Sequence, residues 1–584
     1  MKKADERNFR KLKNQIPQID EIVKNTKSSG LWEHEASIRK KVKILKEMKG
    51  FNFKEFNQVF NRYLELLEYV SRRLIEDYNR KNNTDFKFEE IVLNNYEGYL
   101  RSGIISVLIS SHIPELVSRD FKRVFPANPK EEYPAARRMK RKFYLHLGET
   151  NTGKTYNALE ALKKADKGVY LSPLRILALE NFEKLNGEGV KCSLTTGEEE
   201  IILEGAGHLS CTIEKLDLKD SYDVAVIDEV QMIKDEQRGA AWTRAILGVR
   251  SKEVHLCGAS NSKELLIDIL EDLEEEYEIR EYHRNIPLMI EDASFSYRDI
   301  QPGDALVTFS KKRVLEIAGF YSAQGIKASM IYGDLPPEVR REQYRAFINK
   351  ENTILVTTDA IGMGVNLPIR RIVFMDIRKF DGSEIRHLNS QEVKQIAGRA
   401  GRKGIYEEGY VVGYGRSTPF IRENILMKDE LIFSAVLGPS EAILDIKGLS
   451  LREKLALWST KEESIHYYKK MDVSEYLIVL DALKSYKLKQ DIQWKLLKIP
   501  FDVSKSELMD KFLSYVDELF IGKRGELTKP YCHIRNLYDL EVYYQQISLY
   551  YSFSKNFNLP FDQQWVHEER SQVSSEIIEI LRRI

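Results

Sequence analysis

The spacing of apolar residues changes character twice along the chain. In the first stretch, Phe56, Phe60, Tyr63, Leu64, Leu67, Val70, Leu74 and Tyr78 recur three and four apart. That is one face of a long helix, fit either to pack on the rest of the protein or to meet a partner. Residues 1–135 are rich in Lys and Asn and predict helices throughout. From 136 to 285 the rhythm shortens to brief apolar runs, KFYLHL, GVYLS, DVAVID and EVHLCGA, set between helical stretches. Runs this short and continuous suit buried parallel strands. A second series, DALVTFS, KASMIYG, NTILVTTD and RRIVFMD, fills 286–430. From 431 to 584 the pattern is helical again and rich in aromatics. YYQQISLYYSFSKNF reads first as core, with base stacking the alternative. The expected class is α/β: two consecutive α/β domains, 136–285 and 286–430, between helical regions 1–135 and 431–584.

Composition narrows this picture. The 584 residues are enough for roughly three or four domains. A net charge of +1 gives the whole molecule no basic signature, so nucleic-acid binding would rest on local tracks. Cys192, Cys211, Cys257 and Cys532 form no C-x-x-C pair, which argues against zinc and disulfides and for a reducing compartment. MKKADERNFRKLKNQ lacks an apolar core for a secretory signal, and Asp5 and Glu6 weigh against a mitochondrial presequence. GIISVLISS, from Gly103, is too short to span a bilayer. The expectation is a cytoplasmic protein with no membrane contact.

The chemistry begins at HLGETNTGKT, which fits the phosphate-binding pattern G-x-x-x-x-G-K-[ST] between a predicted strand and helix. Gly148, Glu149, Thr150, Asn151, Thr152, Gly153, Lys154 and Thr155 form the loop. Its N–H groups and the following helix start can face phosphate oxygens. Lys154 would neutralise the β/γ-phosphates of ATP, and Thr155 would hold Mg²⁺. Asp228 and Glu229 follow the apolar run DVAVI, at the strand end where such folds place ligands. Asp228 suits the Mg²⁺ shell, and Glu229 suits the base that activates water. Gln231 completes an Asp-Glu-x-Gln signature resembling that of superfamily-2 nucleic-acid helicases, where it can report the γ-phosphate to a facing domain. That domain carries QIAGRAGR, in which Gln395, Arg399 and Arg402 are candidates. Two arginines three apart share a face if helical, and guanidinium groups stabilise transition-state charge. TTDAIGMGVNLP, with Thr358 and Gly364, is a candidate coupling loop between nucleotide and nucleic acid.

Together these motifs resemble the Suv3 family of ATP-dependent RNA helicases, within the Ski2-like DExH group. The resemblance runs over about 133–584, through YPAARRMKRKFYLHLGETNTGKT, SPLRILALE, TTGEEE, CTIEK, DVAVIDEVQMIKDEQRGAAWTRAILG, KFDG, QIAGRAGR and LSLREKLALWS. It implies two tandem RecA-like domains with ATP between them, movement 3′ to 5′ along single-stranded RNA, and cooperation with an exoribonuclease such as polynucleotide phosphorylase. It also implies nucleic-acid contacts at Pro173, Arg175, Thr196, Gly197, Thr212 and Thr358. The chain departs from the family with Glu149 for a usual Pro and Thr152 for a usual Ser; Ile396 stands where many other DExH proteins carry Arg. The basic run RRMKRK, Arg137 to Lys142, reads as a solvated edge or an RNA or nucleotide contact. Asp381-Gly382 is a hairpin signal, read either as a strand-separating wedge or as an ordinary surface turn. Three functions fit: an RNA helicase, a DNA helicase or translocase, and an ATP-gated adaptor that recruits a nuclease.

Overall fold

A computed structural model describes residues 2–48, 53–93, 95–111, 115–284, 286–362, 367–380, 385–402, 404–460 and 463–584. The chain divides into two units. One comprises Met1–Asn128, Pro439–Ile465 and Lys470–Leu497; the other comprises Pro129–Gly438, His466–Lys469 and Lys498–Ile584.

The first unit is helical. In the helix Phe56–Asn82, the predicted apolar face buries Phe56, Tyr63, Leu67, Val70 and Leu74, packed on the helix Leu31–Glu47. Tyr63 sends its hydroxyl to the Leu12 carbonyl at 2.8 Å. This face is core within its own unit. The apolar helix Ile104–Ser111 packs on Leu451–Thr460. Residues 439–465 and 470–497, grouped by sequence pattern with the C-terminal helices, therefore complete the N-terminal core.

The second unit holds two large sheets. The first contains β1 (Lys142–Gly148), β2 (Gly168–Ser172), β3 (Cys192–Thr195), β4 (Glu200–Ile201), β5 (His208–Thr212), β6 (Ser221–Ile227), β7 (Arg250–Gly258) and β8 (Glu276–Tyr282). Their order is β4-β3-β5-β2-β6-β7-β1-β8. All pairings are parallel except β3 with β4. The second contains β9 (Leu288–Ile290), β10 (Asp304–Val307), β11 (Ala328–Ile331), β12 (Ile354–Thr357), β13 (Arg371–Phe374) and β16 (Gly409–Gly413), ordered β11-β12-β10-β13-β16-β9 and wholly parallel. Between the last two, β14 (Arg378–Phe380) and β15 (Ile385–His387) form a separate antiparallel pair. Central strands such as β2 and β10 are buried at every position, which is why they read as unbroken apolar runs.

The aromatic tail is core. Helices Leu537–Asn556 and Gln563–Arg582 pack together and bury Tyr543, Tyr544, Tyr550, Tyr551 and Phe553. The basic run splits. Arg137 and Arg141 both donate to Glu275, at 3.0 and 2.8 Å, and to carbonyls of 246–249. Two members of the run, Arg141 buried and Arg137 half-buried, are thus struts at the start of β1, the end of the strand away from the phosphate loop.

A second buried polar chain crosses the sheet. His146 on β1 meets Tyr282 OH at 2.7 Å through Nδ1 and His255 Nδ1 at 2.9 Å through Nε2. Burial, with Arg280 nearby, lowers His146 to about 4. Burial, then His146 and Arg280, lowers His255 to about 3. Both rings are neutral when folded, whereas the unfolded chain takes up protons near about 6.5. Their contribution to stability is therefore complete above that pH and is lost as pH falls from about 6.5 toward about 3. Thermal midpoints measured from pH 7.5 downward should fall, and more shallowly in His146→Gln/His255→Gln. An equal slope in that variant would assign the loss to other groups.

Candidate nucleotide site and nucleic-acid face

The phosphate loop joins β1 to the helix Lys154–Lys164. A Cβ on Gly148 would lie 2.0 Å from the Tyr282 carbonyl oxygen, and Gly153 has φ +85°; both positions need glycine. Thr152 Oγ1 closes the loop onto the Glu149 carbonyl at 3.0 Å. Lys154 Nζ donates to the carbonyls of Gly148, at 2.8 Å, and Glu149. Burial lowers its pKa, and the Glu229 carboxylate opposes this. Thr155 Oγ1 donates to Asp228 Oδ1 at 3.1 Å, beyond the end of β6. Asp228 is fixed further by Tyr170 OH at 2.8 Å and the Glu229 N–H at 3.0 Å. Burial raises its pKa, with Glu229 adding to the shift.

Glu229 adopts φ +51° and turns the chain at the strand end. Gln231 Nε2 donates to its carboxylate, while Gln231 Oε1 accepts from the Ala259 N–H at 3.0 Å, just past β7. These hydrogen bonds of Gln231 lie within its own domain, rather than reaching toward the facing one. It holds the candidate base to the end of the neighbouring strand.

From the second sheet come Gln395, Arg399 and Arg402. The helix Ser390–Ala397 starts in a capping box, Asn389 with Glu392, and carries Gln395. It stops before both arginines, so they do not share a helical face. The turn that follows requires glycine: Gly401 has φ +75°, and a Cβ there would sit 2.8 Å from Gly409. Arg399 Nη2 donates to the Gly362 carbonyl at 2.6 Å. Burial lowers its pKa, opposed first by Glu229 and also by Asp228, so this guanidinium lies within electrostatic reach of both carboxylates. Arg402 accepts at its carbonyl from Ile405 and Tyr406, at 3.1 and 3.0 Å. Gly364 and the Asp381-Gly382 turn lie outside the described residues.

The two domains touch at the phosphate loop. Asn151 Nδ2 donates to the Gly401 carbonyl at 3.2 Å. A Cβ on Gly398 would lie 2.8 Å from Thr150 Cβ. Glu149, the charged departure in this loop, turns its carboxylate onto the Arg284 N–H at 3.0 Å. Arg284 itself donates to the carbonyls of Ile286, at 2.6 Å, Gly398, at 2.9 Å, and Ala400. No motif contains Arg284. The only hint in the sequence is its place between the last strand of one series and the first of the next.

The candidate nucleic-acid residues gather at the strand ends, with unequal freedom. Ser172 and Thr212 are paired across β2 and β5, which puts Pro173 beside Thr212; the Pro173 carbonyl accepts from Arg238 at 2.7 Å. Arg175 is largely buried and ion-paired with Glu198 and Glu199, so its guanidinium is engaged with acids rather than presented to solvent. Thr196 Oγ1 accepts from the Glu199 N–H at 3.0 Å and braces that turn. The C-terminal helices clasp the same turn. Ser552 Oγ donates to the Gly197 carbonyl at 2.9 Å, Ser548 Oγ to Glu198 at 2.8 Å, and Arg570 to the Glu198 carbonyl at 2.9 Å. They also reach the second domain, where Tyr544 OH donates to Glu338 at 2.8 Å and Tyr332 OH to Glu541 at 2.8 Å. Thr358 is buried after β12 and accepts from the Ala360 N–H at 3.3 Å.

Two RecA-like domains, with a phosphate loop on one and an arginine turn on the other, have the architecture of a two-domain helicase core. Residues 129–282 match the DEXQ-box helicase domain of Suv3, 290–404 the helicase conserved C-terminal domain, and 537–583 the ATP-dependent RNA helicase SUV3 C-terminal domain. The chain thus carries a helicase domain and a C-terminal domain of the Suv3 type. It is 44% identical over 301 residues to the ATP-dependent RNA helicase SUV3, mitochondrial, of Candida albicans, covering 50% of this chain and 42% of that one. It is 39% identical over 403 residues to the DExH-box ATP-dependent RNA helicase DExH16, mitochondrial, of Arabidopsis thaliana, covering 68% and 65%. With the Saccharomyces cerevisiae SUV3 it shares 39% over 332 residues, covering 54% and 45%. The chain spans less than two thirds of the length of each.

These relatives also correct one expectation. They are named mitochondrial, as are those from rice, mouse, chicken and human, so the cytoplasmic assignment does not stand. The features behind it were too general. Unpaired cysteines such as Cys192, Cys211, Cys257 and Cys532 do not separate cytosol from mitochondrion.

Proposed function

We propose that this chain is an ATP-dependent RNA helicase that moves 3′ to 5′ along one strand and opens duplexes. The observation that carries the reading is the convergence of Lys154, the Thr155–Asp228 pair and the Gln231-held Glu229 from one sheet with Arg399 from the other.

The oxygens of Thr155 and Asp228, 3.1 Å apart, are a donor set that suits a hard divalent cation. They would hold Mg²⁺, which, when bound, neutralises charge on the phosphates. Lys154 binds phosphate oxygens of ATP. Glu229 accepts the proton of the attacking water at its carboxylate, with Gln231 fixing its direction. Arg399 and Arg402 bring positive charge from the facing domain to the transferring phosphoryl group. Closure and reopening of the cleft shift the strand contacts at Pro173, Thr196, Gly197, Thr212 and Thr358 between the domains. Backbone contacts of this kind carry affinity without reading sequence. The names of the relatives favour RNA as the polymer and the mitochondrion as the compartment.

The pair β14–β15 is the proposed wedge. It is tied to Glu392 through Arg386 at 2.8 Å and Lys379 at 2.7 Å. Phe380 and Ile385, paired at its far end, are each 62% exposed. Phe380→Ser/Ile385→Ser should reduce base pairs opened per ATP while RNA-stimulated hydrolysis persists; unchanged coupling would make the hairpin an ordinary surface feature.

Strand displacement on RNA and DNA duplexes with 3′ or 5′ overhangs, with Lys154→Ala as control, tests the whole reading. The expected result is ATP-dependent opening of the 3′-overhang RNA duplex. Opening of DNA alone would move the chain to the DNA-helicase reading. ATP hydrolysis without displacement of any duplex would overturn the helicase reading.

A further inference from the structure

We infer that Arg284, in the linker between the two α/β domains, is the positioning residue for Arg399. The inference rests on the ATPase reading above and adds a part to it.

Arg399 follows the end of its helix and lies between Gly398 and Gly401, in a turn with little rigidity of its own. Arg284 supplies what the turn lacks. Its Nη1 donates to the Gly398 carbonyl at 2.9 Å and its Nη2 to the Ala400 carbonyl. These carbonyls belong to the residues on either side of Arg399, so the backbone carrying the finger is held at both neighbours. The Nε donates at 2.6 Å to Ile286, which ties the same group to the linker. One planar fork thus serves three acceptors, which a lysine ammonium cannot match in the same plane.

The Arg284 backbone completes the device. Its N–H donates to Glu149 in the phosphate loop at 3.0 Å. The phosphate loop, the linker and the arginine turn are therefore joined through one residue. Asn151 with Gly401, and Thr150 against Gly398, add direct contacts between the same two loops. A phosphate-loop rearrangement on nucleotide binding would be felt by Arg399 through this linkage.

The test is a double-mutant cycle on the full chain, with kcat and KM for ATP measured at saturating RNA. Arg284→Lys should lower kcat about tenfold, with a smaller change in KM. In an Arg399→Ala background the same substitution should cause no further fall, because the group it positions is gone. A role in folding alone would instead lower the thermal midpoint and leave the two kcat effects multiplicative. If Arg284→Lys does not retain the wild-type midpoint, Arg284→Gln, which keeps one amide donor, is scored in the same cycle. Wild-type kcat in the Arg284 variant, or multiplicative effects in the cycle, overturn the inference. A wild-type chain that hydrolyses no ATP overturns the proposed function as well, so the two failures are distinguishable.

Discussion

Glu229→Gln is expected to lower ATP hydrolysis by about 10²- to 10⁴-fold, the usual contribution of a positioned general base. The substitution keeps the shape of the side chain and an oxygen for Gln231 Nε2 to meet. Asp228 keeps Tyr170 and Thr155, and Lys154 keeps its loop carbonyls. What disappears is the carboxylate that takes the proton from water. Binding of a fluorescent ATP analogue should stay within about threefold of wild type, while phosphate release in single-turnover mode shows the loss. Hydrolysis near the wild-type rate would place the base elsewhere.

The second large effect is expected at Arg399→Ala. Groups of this kind contribute about 10³- to 10⁵-fold to phosphoryl transfer. Arg399 is half-buried with its Nη2 on the Gly362 carbonyl, and Glu229 is the acid that acts on it most strongly. Its planar guanidinium can meet that carbonyl and a phosphate oxygen together. Arg399→Lys should therefore recover little of the rate. RNA-stimulated hydrolysis, measured beside nucleotide affinity, checks this. A fall confined to KM would make Arg399 a binding contact rather than a transition-state one.

Some of this architecture was legible from the chain alone, for physical reasons. Strands buried on both faces have no polar alternation, so GVYLS and DALV stand out as unbroken runs. The phosphate loop is a local motif whose context lies within about twenty residues, and so is Asp228 with Glu229. What stayed hidden depends on partners distant in sequence. Arg175 looks like a phosphate reader until Glu198 and Glu199 fold against it. Arg284 carries no motif, and two of its three acceptors lie more than a hundred residues away. The arginine pair suggested a helical face, but spacing does not reveal that the helix ends at Ala397, before both of them. Glu149 looked like a charge set against phosphate; its carboxylate instead accepts an N–H from the linker.

The assignment of 439–465 and 470–497 to the N-terminal core has a consequence for biosynthesis. The chain passes between the two units at 128–129, 438–439, 465–466, 469–470 and 497–498. The early helices leave the ribosome about 370 residues before Leu497 does. At about 5–20 residues per second that is a delay of roughly 20–70 s. Through that interval the surface of Ile104–Ser111 that Leu451–Thr460 will cover has no mate. The N-terminal segment is thus made first but cannot close its core until residues 439–497 emerge, and the apolar surface left uncovered meanwhile is where chaperone engagement during synthesis would be concentrated.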